Sequence, residues 1–236
     1  MDQNKIKEYL ENLDEKASEY ASKIIDNTIY ITTNEMIEMI KRTFNKFKLT
    51  HSKYNLFIPP GKIGSDHYIT LQLKNELQPE QIINDYTTSI ENDYPIIMFD
   101  DAVYSSVHLC EFYDELTYER DPPLLNKFVA IVAVLSTREV EFLTGHNFAN
   151  VDIMADITIP ELMICNMFEE YDPDYCYDTF ECETNKILPL IFEHKIANEF
   201  GSYQFYHQLL IKPIDRSCIN VITQEDIDSF IEELRY

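Results

Sequence analysis

The spacing of apolar positions changes character near residue 54. Before it, the period is helical. Ile6, Tyr9, Leu10, Leu13, Ala17, Tyr20, Ala21 and Ile24 share one face of an amphipathic helix over the first 28 residues. Such a stripe either packs on its own domain or docks a partner. Thr32-Thr-Asn-Glu35 has the spacing of a capping box and opens a second helix to about Lys48.

Beyond residue 54, short apolar runs alternate with helical stretches. Tyr54 to Pro59 reads as a strand, Asp66 to Leu77 as a helix and Pro79 to Ile90 as another. Tyr94 to Phe99 is apolar almost throughout, the pattern of a strand buried on both faces. Val107 to Leu116 is helical, and Lys127 to Ser136 carries the strongest strand signal in the chain. Asp152 to Leu162 holds a strand with Pro160 near its end, while Ile187 to Ala197 and Phe205 to Ile211 suit strands or short helices. Thr223 to Arg235 closes the chain as a helix, with Thr223 and Asp226 spaced as a capping box. The succession predicts an α/β fold: a mostly parallel central sheet flanked by helices, with N-terminal helices and a C-terminal helix added. Residues 1–50 are expected to pack on or cap the core formed by 51–236.

Composition narrows the function. Only four glycines occur, Gly61, Gly64, Gly145 and Gly201, where average usage would give about 16. No spacing among them matches a dinucleotide fingerprint or a Walker A loop. Two of the four fall in one stretch, Gly61-Lys-Ile-Gly64-Ser65. The net charge of −23 opposes a general grip on nucleic acid, so no direct nucleic-acid binding is expected. The five cysteines follow no disulfide or metal framework and read as reduced thiols. The polar N-terminus is unlike a signal peptide, and Phe128 to Leu135 is far shorter than the ~18 residues of a membrane span. A soluble, cytoplasmic protein with no membrane contact is expected. Glu169 to Glu183 holds seven acids and no base, as a solvated loop or, less simply, a metal site.

The segment most informative about chemistry is Pro95-Ile-Ile-Met-Phe-Asp-Asp-Ala-Val-Tyr-Ser-Ser-Val-His-Leu109. A hydrophobic strand runs into two acids, a short turn follows, and a helix begins. Ligands of open α/β sheets bind outside the carboxyl ends of the strands, where Asp100 and Asp101 are placed. Ala102, Val103, Tyr104, Ser105 and Ser106 would then aim N–H groups and hydroxyls at an anion on the helix N-terminus. Acids beside an anion cradle suit a sugar phosphate. A plain N-cap accounts for one acid but less well for two, because burying unpaired charge is costly.

This segment resembles the phosphoribosyl diphosphate (PRPP) loop of the type I phosphoribosyltransferases. The resemblance implies that Asp100 and Asp101 are the catalytic pair holding the ribose hydroxyls, and that residues 102–106 hold the 5-phosphate. It also implies Mg²⁺, contacted by Asp100 and Asp101 indirectly, through ligand or water. The earlier Gly61-Lys62-Ile-Gly64-Ser65 stretch is similar to the family's diphosphate loop, with Lys62 supplying charge and Ser65 capping the helix; a Pro-Pro-Gly turn before an N-capped helix is the simpler alternative. His194 and Lys195 look like a His-Lys feature of a divergent branch, some of it associated with conflict and defence systems; otherwise they are two polar residues on an amphipathic element.

Two departures qualify the match. Ser106 stands where the family's turn uses glycine, and His108 where it uses Ser or Thr, as a surface residue or a phosphate contact. The resemblance implies transfer of a phosphoribosyl group from PRPP to a base. The departures leave a second reading open, an inactive relative acting as a regulatory or interaction module. A small-molecule ribose phosphate is the expected ligand. A homodimer or a protein partner stays open.

Overall fold

The computed structural model describes residues 3–61, 63–103, 107–118, 125–137, 150–160, 162–163, 186–187, 189–193, 195–196 and 222–234. The chain forms two compact units, residues 1–33 with 159–216 and residues 34–158 with 217–236.

In the first unit, the single long amphipathic helix expected at the N-terminus is two helices, α1 (Gln3–Glu11) and α2 (Glu15–Asp26). The break has a local cause. Asp14 accepts a hydrogen bond from the Ala17 N–H at 2.8 Å and caps α2, so the chain starts a new helix there. The apolar stripe survives the break, and Ala17, Tyr20, Ala21 and Ile24 are buried. Strand β1 (Ile29–Ile31) then pairs in parallel with β9 (Leu190–Phe192), and β10 (Lys195–Ile196) runs antiparallel to β9. A separate antiparallel pair joins β7 (Leu162–Met163) to β8 (Lys186–Ile187).

The second unit is built on a five-stranded sheet in the order β3-β2-β4-β5-β6. These strands are β2 (Asn55–Phe57), β3 (Gln81–Ile83), β4 (Ile96–Val103), β5 (Phe128–Ser136) and β6 (Val151–Ile159). The pairs β2–β3, β2–β4 and β4–β5 are parallel. The helices are α3 (Thr33–Thr50), α4 (Ser65–Gln72), α5 (Val107–Thr117) and α6 (Gln224–Leu234). This is the mostly parallel, helix-flanked sheet the alternating pattern implies. Alternation along β4 divides its side chains between two layers. Ile96 and Met98 join Phe57 and Phe128 in a cluster with Leu109 and Leu116 of α5. On the other face, Phe99 meets Phe44 of α3 edge-on, with ring centroids 5.3 Å apart. Every residue of β5 is buried, which explains its unbroken apolar run.

Two expectations change. Pro79 to Ile90 is not a helix. Gln81-Ile-Ile83 pairs with Asn55–Phe57 as the edge strand β3, and Asp85 then turns the chain by accepting from the Thr87 N–H at 2.7 Å. The strand containing the acids is also longer than its apolar run. Ladder pairs Ala102↔Val134 and Val103↔Leu135 carry β4 on to Val103. The closing helix is as expected: the Thr223 N–H donates to Asp226 Oδ2 at 2.8 Å, and the Asp226 N–H donates to Thr223 Oγ at 3.2 Å.

Candidate functional site

Parallel neighbours β2 and β4 leave the sheet by the same edge, so the segments after each are neighbours in space. After β2 comes the stretch from Ile58 to Gly64, then α4. Gly61 has φ +114°, a conformation side-chain-bearing residues rarely adopt, and this explains the residue chosen. At the end of β4 lie Asp100 and Asp101. The two motifs meet: Ser65 Oγ donates to Asp100 Oδ1 at 2.7 Å. The same oxygen accepts the Asp101 N–H at 2.8 Å.

The two acids differ in environment. Asp101 is fully enclosed at 0% exposure, whereas Asp100 is partly exposed. Asp100 is therefore the one of the two acids that solvent reaches at the strand end. Ala102 and Val103, expected in the anion-binding turn, belong to β4 and are buried, because the ladder with Val134 and Leu135 holds them. Tyr104, Ser105, Ser106 and Lys62 lie outside the described residues. Ser65 does not take the capping role expected of it. Gly64 is the N-cap of α4, and the Ser65 hydroxyl turns to Asp100 instead. Lys195 lies on β10 in the other compact unit, and His194 lies outside the described residues, as do residues 169–183 and 205–211.

Three residues at this edge, Asp66, His67 and Ser136, were not read from the sequence as site residues. His67, in the first turn of α4, is buried, with Nδ1 2.9 Å from Asp66 Oδ1. The one signal for them is position: both follow directly on the glycine stretch. Ser136 ends β5 beside β4; it is buried, and its hydroxyl meets no hydrogen-bond partner among the described residues. A serine ending an apolar run reads in sequence as a strand terminus and nothing more. Among the described residues, no three His, Cys, Asp or Glu side chains gather in a shape that could hold a metal ion. Nor is any helix among them long and apolar enough to cross a membrane.

A parallel sheet with paired acids on its central strand, tethered to a glycine-containing segment from the neighbouring strand, defines a phosphoribosyltransferase-like α/β protein. Comparison with known families agrees: the PRTase-CE family matches residues 6–178. The chain belongs to the PRTase-CE family. Among solved structures, it is similar to a hypothetical protein from Neisseria gonorrhoeae with bound ppGpp, at 14% identity and a TM-score of 0.43, over 56% of this chain and 85% of that one. No curated protein matches the chain.

Proposed function

We propose that this protein binds PRPP or a closely related ribose phosphate, with Mg²⁺, at the carboxyl edge of β2 and β4, and transfers the phosphoribosyl group to a base. The observation that carries this reading is the Ser65–Asp100 hydrogen bond, which brings the expected diphosphate segment to the expected ribose-binding acids. Asp100, partly exposed and held by two donors on one oxygen, is the group that accepts from the ribose hydroxyls. Asp101, enclosed behind it, supports the strand end through its N–H. Asp100, partly exposed at the strand end, is the residue that a cation arriving on the diphosphate would reach, through ligand or water. Bound there, Mg²⁺ would neutralise diphosphate charge, which a chain of net charge −23 otherwise repels.

In the transfer, the bond from C1 to the diphosphate oxygen breaks and its electron pair leaves with the diphosphate. A base nitrogen forms the new bond to C1 and gives up its proton. The protein's part is to fix the ribose, shield C1 from water and hold the leaving group.

One observation favours a second reading, binding without transfer. Ser106 places a Cβ where the related turns use glycine to let phosphate approach the backbone. Titration calorimetry with PRPP and Mg²⁺ tests both. Wild type is expected to bind, and Asp100→Asn with Asp101→Asn is expected to weaken binding by about 1–3 kcal/mol through loss of charged acceptors. Binding without turnover over a panel of bases selects the second reading. Absence of binding by the wild type refutes both.

A further inference from the structure

Gly64 is explained by a side chain, not by its own backbone. Its φ of −131° is open to any residue. A Cβ built there would lie 2.8 Å from Asp66 Oδ1, so the space glycine leaves is filled by the Asp66 carboxylate folding back over the loop. Asp66 is held in that position by His67, whose side chain is only 4% exposed and whose Nδ1 lies 2.9 Å from the same Oδ1. The same Nδ1 accepts the Gly64 N–H at 3.4 Å, closing a capping box at the start of α4, so the buried ring touches both the loop backbone and the Asp66 carboxylate.

From this arrangement we infer that Gly64, Asp66 and His67 form a clamp that sets the shape of the chain at residues 63–66 before any ligand arrives, with His67 as a positioning residue. The chain of contacts is continuous. His67 fixes Asp66, Asp66 occupies the Gly64 gap, and the adjoining Ser65 hydroxyl reaches Asp100 at 2.7 Å. A buried imidazole is a stiff anchor, because packing leaves its ring no other rotamer of equal fit. The clamp spares a ligand the entropy of ordering the loop. Its consequence for affinity rests on reading this loop as the diphosphate loop; its consequence for loop order does not.

The test uses the full chain and four variants: His67→Phe, which keeps a ring in the slot without nitrogen; Asp66→Ala; Asp66→Asn, which keeps a polar group of the same shape beside Nδ1; and Gly64→Ala, whose Cβ displaces the carboxylate. Amide hydrogen exchange without ligand is the first readout. Exchange across residues 58–66 is expected to quicken about tenfold in His67→Phe, Asp66→Ala and Gly64→Ala, to stay near wild type in Asp66→Asn, and to be unchanged in β4 and β5 throughout. Calorimetry with PRPP and Mg²⁺ is the second, with affinity falling about tenfold in the first three variants and recovering in Asp66→Asn. If His67→Phe fails to fold, Asp66→Ala and Gly64→Ala carry the same comparison. Unchanged loop exchange in the folded variants overturns the clamp. Quickened loop exchange in the variants, with no PRPP binding by the wild type, leaves the clamp standing and removes the functional reading instead.

Discussion

The Ser65–Asp100 bond can be measured directly. Ser65→Ala removes a hydroxyl that donates to a carboxylate across 2.7 Å in a part-buried setting. A hydrogen bond to a charged group contributes about 1.5–3 kcal/mol. Two features lower the figure here. Asp100 Oδ1 keeps a second donor, the Asp101 N–H at 2.8 Å, so the mutation does not strand the carboxylate. Asp100 is also partly exposed, so water can replace the lost hydroxyl. About 1–1.5 kcal/mol is therefore expected for Ser65→Ala. Urea unfolding of wild type, Ser65→Ala, Asp100→Asn and the double variant closes a double-mutant cycle. The double variant should lose about 1 kcal/mol less than the sum of the two single losses, the shared bond being removed only once. A coupling below about 0.3 kcal/mol, the level at which independent sites simply add, would refute the claim that the two motifs are energetically joined.

Ser136→Ala should stabilise the fold by about 1 kcal/mol in thermal or urea unfolding, because it removes a buried hydroxyl with no partner among the described residues. Asn55→Ala should cost about 2 kcal/mol, since its buried amide exchanges hydrogen bonds with Asn92 at 2.8 and 3.1 Å; it sits at the start of β2, so PRPP affinity should not move. Asp156 accepts from Arg42 at 2.6 Å, which, with Lys46 nearby, holds its carboxyl below the ordinary value of 3.8. A carboxyl lowered on folding stabilises fully above its unfolded value and loses that stabilisation as pH falls through the lowered one. Asp156→Asn should therefore cost about 1 kcal/mol at neutral pH, and the gap to wild type should close in urea titrations taken below about pH 4.

The sheet was legible because its signals are local and strong. The runs at Tyr94 to Phe99 and Lys127 to Ser136 are too apolar and too short for surface helices, and they became β4 and β5. Where pairing decides, sequence pattern fell short. Gln81-Ile-Ile83 has no strand-length run of its own and is a strand only because β2 offers it a partner. The N-terminal stripe hid its break because Asp14 can sit on a polar face or cap a helix equally well, and only the Ala17 N–H decides. Asp100 and Asp101 stood out in sequence as an interruption of an apolar strand. His67 was not, since a lone histidine in a helix shows neither its burial nor its partner.

The glycines carry the same distinction further. Gly61 and Gly64 look equivalent in sequence, three residues apart in one loop, and each would be read as a place where backbone must approach phosphate. Their structural reasons differ. Gly61 needs its positive φ, and among the described residues nothing lies within 4 Å of a would-be Cβ. Gly64 has ordinary dihedrals and no such space, because Asp66 fills it. A phosphate approaching this loop would thus find backbone accessible at Gly61, whereas at Gly64 it would face a carboxylate, unfavourable unless a cation intervenes. On the proposed reading of this loop, an acid folded over one of its glycines suits diphosphate arriving as a magnesium complex better than free phosphate. Phosphate without Mg²⁺ should on this reasoning compete poorly with PRPP·Mg²⁺, and Asp66→Asn should narrow the difference while leaving the loop in place.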